Sequence, residues 1–143
     1  MIKIQELRRA SAKSLAEINA LLPQLSKTAK PISPGALKSV VKSGDICLIV
    51  AKDGVRIIGM GTLVIMRTTV GVRARVEDVV VDAGYRGWGI GEKISRELIN
   101  TAKKKRVKSI ELSSQSSRIA ANKLYQKLGF EKRDTNVYNL PLQ

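Results

Sequence analysis

Histidine is absent from the 143-residue chain, cysteine occurs once, and aromatic residues make up only 3%. Each scarcity excludes something. Without histidine there is no Ser-His-Asp or Cys-His catalysis and no histidine-bearing zinc site. A single cysteine, Cys47, cannot close an internal disulfide, which removes the disulfide-stapled secreted domains. Long apolar runs are missing too, since the longest, Ile46 to Ala51, is far too short to cross a bilayer. The opening stretch MIKIQELRRA puts charges where a signal peptide carries its apolar segment. A soluble cytoplasmic domain with no membrane partner is therefore expected.

Acidic residues are also few. Twelve Asp and Glu face 26 Lys and Arg, which leaves a formal net charge of +14. Such a balance points either to a polyanionic partner or to a solvated basic surface. The shortage of aromatics counts against single-stranded nucleic acid, which is bound on stacking platforms. Nucleic acid is thus admitted as a partner but not favoured. All five aromatics, Tyr85, Trp88, Tyr125, Phe130 and Tyr138, fall after residue 84.

The length suits one domain over 1–143, and 43% apolar residues suffice for a core. Ile2 to Leu7 alternates as a short strand. Leu15, Ile18, Leu21 and Leu22 follow a helical period from Ser11 that Pro23 should stop. A second helix is expected from Ser33 as N-cap, with Pro34 at its first position and Gly44 at its end. Ile46 to Lys52 and Val55 to Arg67 read as a hairpin about Asp53-Gly54. Gly59 and Gly61 inside its second strand indicate a bulge or a close backbone approach. Arg73 to Asp82 is a further strand.

A glycine-rich turn at Gly84 to Gly91 leads into a helix to about Lys105, with Ile90, Ile94, Leu98, Ile99 and Ala102 on one face. Ser109 to Ser113 reads as a strand, Ser117 to Leu128 as a helix, and Phe130 to Leu140 as a last strand or strand pair. The expected class is α/β (α+β), a mixed, mostly antiparallel twisted sheet with helices on both faces.

The strand-turn-helix from Val79 to Gly91 is the most informative segment. Amides that open a helix lack intrahelical partners and carry the positive end of its dipole, and glycines let a phosphate approach them. Arg86 adds a cation. A pyrophosphate cradle is expected. A Walker P-loop would need Gly-Lys-Ser/Thr, but Glu92-Lys93 follow Gly91. A dinucleotide fingerprint would need Gly or Ala where Glu92 stands. Glu111 lies about 20 residues on, as that fingerprint asks, but the motif starts too late to leave room for a full dinucleotide domain.

Arg86-Gly87-Trp88-Gly89-Ile90-Gly91 resembles the Arg/Gln-x-x-Gly-x-Gly/Ala motif of the GNAT superfamily of acetyl-CoA-dependent N-acetyltransferases. Ala121-Asn122-Lys123-Leu124-Tyr125-Gln126-Lys127-Leu128-Gly129-Phe130 is similar to the signature near the end of those domains. The two are separated by one helix, one strand and one helix, as in the family. The resemblance is close over Val76 to Phe130, and the element order extends it to the whole chain.

This resemblance implies transfer of an acetyl group from acetyl-CoA to a primary amine, on a small molecule or a peptide, by direct attack. It implies that Arg86, Gly87, Trp88, Gly89, Ile90 and Gly91 hold the CoA pyrophosphate. The backbone of Val79, Val80 and Val81 would pair with the pantetheine arm, and an N–H there would stabilise the oxyanion. Tyr125 would assist departure of the thiolate. With no histidine, the candidate bases are Glu77 and Asp78, which strand alternation points to opposite faces, so that only one should reach the cleft. Either could instead serve a structural ion pair. Glu77-Asp78 followed by valines also resembles the branch that acetylates amino-sugar phosphates, whose other features are missing here.

Many members of the family carry an asparagine seven residues before the tyrosine. Arg118 stands there instead, and Asn122, three before Tyr125, is the nearest candidate CoA contact. The run Lys103-Lys104-Lys105-Arg106 suits a helix C-terminus, with a polyanion contact as the second reading. Cys47 should be a buried packing residue. A homodimer is compatible with the family. A non-catalytic CoA-binding or nucleic-acid-binding module on the same fold is the alternative function.

Overall fold

Alternating apolar residues and a string of short turns produce five strands, and these make one sheet in the order β1-β2-β3-β4-β5. The computed structural model describes residues 1–143. Its elements are β1 (Ile2–Glu6), α1 (Ala12–Leu25), α2 (Pro34–Lys42), β2 (Ile46–Asp53), β3 (Arg56–Thr68), β4 (Gly71–Val81), α3 (Ile90–Lys104), β5 (Ile110–Glu111) and α4 (Ile119–Lys127). Residues 1–113 and 114–143 form two compact units. No helix is long and apolar enough to cross a membrane.

In the first unit all strand neighbours are antiparallel except β4 and β5, which run parallel. The mixed sheet expected from the sequence is present. Helix α3 covers one face, where Ile90, Ile94, Leu98 and Ala102 join Ile49, Ile58, Leu63 and Val76. Helices α1 and α2 cover the other, bringing Ile18, Leu21 and Leu37 onto Leu48, Val50, Met60 and Val80. Cys47 is buried in the α3-side core, and burial raises its thiol pKa. On α3, Ser95 takes a buried position while Ile99 is only half-buried.

The glycines of β3 explain how closely α3 lies on the sheet. A Cβ on Gly61 would stand 2.9 Å from Ile94 Cγ2 and 3.0 Å from Leu98 Cδ1, and one on Gly59 3.1 Å from Ile94 Cδ1. Gly61→Val is expected to destabilise the protein by roughly 1–3 kcal/mol through overpacking. A thermal melt showing no loss relative to wild type would contradict that close fit.

Gly61 also marks a bulge. Thr62 pairs with Glu77 and Met60 with Val80, so Asp78 and Val79 together oppose Gly61. Asp78 takes a left-handed backbone with φ 55. The extra residue reverses the parity of β4. Ala74 and Val76 face α3 before it, Val79 and Val81 after it, and Val80 turns to the α1 side. Strict alternation through Glu77 and Asp78 therefore does not hold.

Pro23 does not stop α1, which runs on to Leu25. Proline removes a single amide donor, and this close to the C-terminus only one helical bond is at stake. The start is fixed by Ser11 and Ser14, whose side chains each accept from the other's backbone amide at 3.0 and 2.8 Å. Asn19 anchors the loop to α2 by donating to Ile32 O and accepting from Ile32 N at 3.2 and 2.9 Å. Ser33 caps α2 through Ala36 N as expected, and Ser43 is the C-cap, immediately before Gly44.

The second unit holds α4 and an irregular tail. The strand or strand pair expected over Phe130 to Leu140 is not formed. Glu131 to Asn136 is wholly polar, so the segment lacks an apolar face to bury, and Val137, Tyr138, Leu140 and Leu142 stay exposed. β5 is likewise shorter than the expected Ser109 to Ser113.

Candidate active site

A strand that outruns its neighbour leaves backbone groups without partners, and β4 does this. β5 pairs with it only at Ala74–Ile110 and Arg75–Glu111, while β4 continues to Val81. Asp82 N donates to Ile58 O at 2.8 Å, on the β3 side, whereas Val81 O faces away and accepts a long 3.4 Å contact from Arg86 Nε. Alternation gives Val79 the same outward edge as Val81. Val80 pairs with Met60, so its backbone faces β3.

Beyond β4, Ala83–Tyr85 form a single 3-10 turn, and Gly89 caps α3 in the left-handed region with φ 77. Gly87 is also left-handed, with φ 84. The amides of Gly87, Gly89, Ile90 and Gly91 find no backbone carbonyl. A Cβ on Gly87 or Gly89 would meet no heavy atom within 4 Å, so the space beside the turn is open. Arg86 and Trp88 are exposed next to it.

The turn is pinned from two directions. Gln24, on the last turn of α1 beyond Pro23, donates to Asp82 Oδ1 at 2.8 Å and accepts from Ala83 N at 2.8 Å. That hydrogen bond is the main reason the Asp82 carboxyl titrates below its usual range. Tyr85 donates from its hydroxyl to Asp53 Oδ2 at 2.5 Å, which raises its own pKa, and packs edge-on against Trp88 with ring centroids 5.3 Å apart. No sequence motif marks Gln24 or Asp82 as fastening the turn, and Asp53 is marked only as part of the Asp53-Gly54 hairpin.

The two adjacent carboxylates differ. Glu77 accepts from Arg75 Nε at 2.9 Å, and Arg75 also lies 3.7 Å from Glu111 and donates to Ser113 Oγ at 3.1 Å. Glu77 thus belongs to a side-chain network. Asp78 makes no ion pair. Surrounding protein desolvates its carboxyl and raises its pKa, and the neighbouring Glu77 charge adds to the rise.

Within 114–143, Tyr125 lies on α4 and is buried, with its ring edge-on to Phe130 at 5.9 Å. Burial raises its pKa, against a smaller opposing effect of Arg118. Asn122 donates from Nδ2 to Gln115 O at 2.9 Å, a bond within its own loop. Gly129, with φ 102, lets the chain turn so that Phe130 N reaches Tyr125 O at 3.0 Å.

The model of the acetyltransferase (GNAT) family matches residues 17–130. The chain belongs to that family. It is 29% identical over 131 residues to the N-alpha-acetyltransferase RimI of Mycobacterium tuberculosis (strain ATCC 25618 / H37Rv), covering 92% of this chain and 79% of that protein. It is 34% identical over 85 residues to the glucosamine 6-phosphate N-acetyltransferase of Trypanosoma brucei brucei, which covers 57% of this chain and 56% of that one. Among solved structures, a transcriptional regulator from Bacillus halodurans C-125 superposes with a TM-score of 0.86 at 25% identity, over 99% of this chain and 100% of that one.

As a GNAT protein the chain is an acyltransferase that uses acetyl-CoA and acetylates amines. Its own residues fit that donor. The glycine turn offers unpaired amides at a helix N-terminus beside open space and a cation, which suits a pyrophosphate. The bare edge of β4 suits an extended amide-bearing arm.

Proposed function

We propose that the chain is an N-acetyltransferase in which a primary amine attacks the acetyl carbonyl directly, within one domain spanning 1–143 and acting in the cytoplasm. The unpaired outer edge of β4, continuous with the glycine turn, carries this reading. Acetyl-CoA supplies the acetyl group as an activated thioester. Arg86 and the amides of Gly87 to Gly91 hold phosphate oxygens. Trp88 shields the turn. The N–H groups of Val79 and Val81 are fixed donors for the arm and for charge growing on the carbonyl oxygen, while Val80 supports them through β3. Asn122 steadies the loop before α4.

Asp78 is assigned as the base and Glu77 as its neighbour in the Arg75 network. Asp78 is exposed as a residue, but partial desolvation of its carboxyl raises the pKa and makes its ionised form a better proton acceptor. Tyr125, whose raised pKa keeps the phenol protonated at neutral pH, gives a proton or hydrogen bond to the departing sulfur.

Activity rises with pH as Asp78 loses its proton, at a pH above that of an ordinary aspartate. Asp78→Asn is expected to lower kcat by about 100-fold, within the usual range for general bases, and to shift the rising limb to higher pH, where the amine deprotonates unaided. An unchanged kcat and pH profile in Asp78→Asn would remove the assignment.

For the acceptor, the relatives named above draw attention to peptide α-amines and a phosphorylated amino sugar. A surface of +14 favours amines that also carry an anionic group over polyamines. The alternative, a module that binds CoA without turnover, predicts no amine-dependent thiol release.

A further inference from the structure

Half of the chain's excess positive charge gathers at the end of the sheet opposite the glycine turn. β3 ends there at Arg67 and Thr68, and β4 begins with Arg73 in its first residues. Lys108 is tied to the connecting turn, its amide donating to Val72 O at 2.9 Å and its Nζ to Val70 O at 3.2 Å. Helix α3 finishes at the same end with Lys103 and Lys104, followed by Lys105 and Arg106. β1 leaves the sheet here as well. Leu7 N donates to Leu48 O at 2.8 Å just before Arg8 and Arg9, and Arg8 and Lys105 both oppose the rise that burial gives the Cys47 thiol pKa.

These nine cations face two carboxylates, Glu6 3.9 Å from Arg8 and Asp45 3.1 Å from Arg67. The formal excess of seven is half of the net +14. Arg73 Nε is buried there with no acceptor. Glycine turn and β4 edge, where acetyl-CoA is assigned, use none of the nine.

The chemistry of this end narrows its partner. The segments that form it carry no aromatic side chain, so they offer no stacking platform for a single strand. Val70 is its one strongly exposed large apolar residue, too little for insertion at a membrane interface or for the buried anchor of a protein contact. A duplex asks only for cations set against closely spaced phosphates. We infer that this end of the sheet binds double-stranded nucleic acid through its phosphates, without reading sequence. The glycine turn at the other end stays free for acetyl-CoA.

The test is the salt dependence of binding to a fluorescently labelled random-sequence duplex, measured by anisotropy with saturating CoA present to occupy the cradle. Log Kobs should fall with log salt with a slope of about −4 or steeper. Replacing Lys103, Lys104 and Lys105 together by glutamine should weaken binding at least about tenfold and make the slope shallower by about 2–3. Acetylation of a small amine should not change. Arg8→Gln with Arg9→Gln, on a different element, should make the slope shallower by about 2. The inference is overturned if both variants keep the wild-type slope or if CoA abolishes duplex binding. Tighter binding to a single strand or to phosphatidylserine vesicles than to the duplex would also overturn it.

Discussion

Gly89→Val is expected to raise the dissociation constant for acetyl-CoA by about 100-fold while leaving a folded protein. Gly89 holds φ 77 at the N-cap of α3, a conformation that a β-branched residue enters at a cost of roughly 1–2 kcal/mol. Its Cβ would project into open space rather than into protein, so the core is untouched. The loss falls on the ligand. Two charge-assisted amide bonds to phosphate, at about 1.5–3 kcal/mol each, account for the size of the effect. Gly54→Val is the control, because Gly54 is also left-handed (φ 62), also opens onto free space, and lies in the β2–β3 turn. Calorimetric titration with CoA should separate the two variants. Equal affinity in both would show that the turn does not hold the pyrophosphate.

Tyr125→Phe should lower kcat by about 100-fold, within the range for a positioned proton donor, with the dissociation constant for CoA nearly unchanged. The substitution removes one hydroxyl and keeps the ring that packs edge-on against Phe130, so stability should hardly move. Binding and turnover are thereby read separately. A variant that retains full kcat would leave Tyr125 as a packing residue of α4.

Much of this arrangement is legible in the sequence. Ser33 and Pro34 announce α2, Gly59 and Gly61 announce the close approach of α3, and the glycines from Gly84 to Gly91 announce the turn. These features act locally, through caps, positive φ and missing Cβ atoms. What escaped depends on partners distant in sequence. Gly61 hints at a bulge, but that its extra residue falls on the opposite strand, with Asp78 and Val79 together facing Gly61, depends on the pairing across the sheet. Gln24 was hidden behind Pro23, which looked like a helix end, although its two hydrogen bonds fasten the turn. Arg75 could not be singled out among 26 cations until Glu77, Glu111 and Ser113 came around it. The few apolar residues near Tyr138 suggest a strand in the sequence, but no partner covers them and the tail after Phe130 is irregular.

The charge has also been divided into parts. Arg86 lies beside the glycine turn proposed to hold phosphate, Arg75 holds Glu77, and nine cations collect at the far end of the sheet, away from the proposed acetyl-CoA site. The absence of histidine leaves a carboxylate or solvent as the candidate base, and of the two carboxylates Asp78 is the one without an ion pair.

Amine-dependent release of free thiol from acetyl-CoA, followed across peptide α-amines, phosphorylated amino sugars and polyamines, tests the central claim most directly. The account predicts thiol release with at least one amine, matched by its acetylated product, and lost together in Asp78→Asn and Tyr125→Phe. Tight CoA binding with no thiol release from any amine, or release unaffected in both variants, would contradict it.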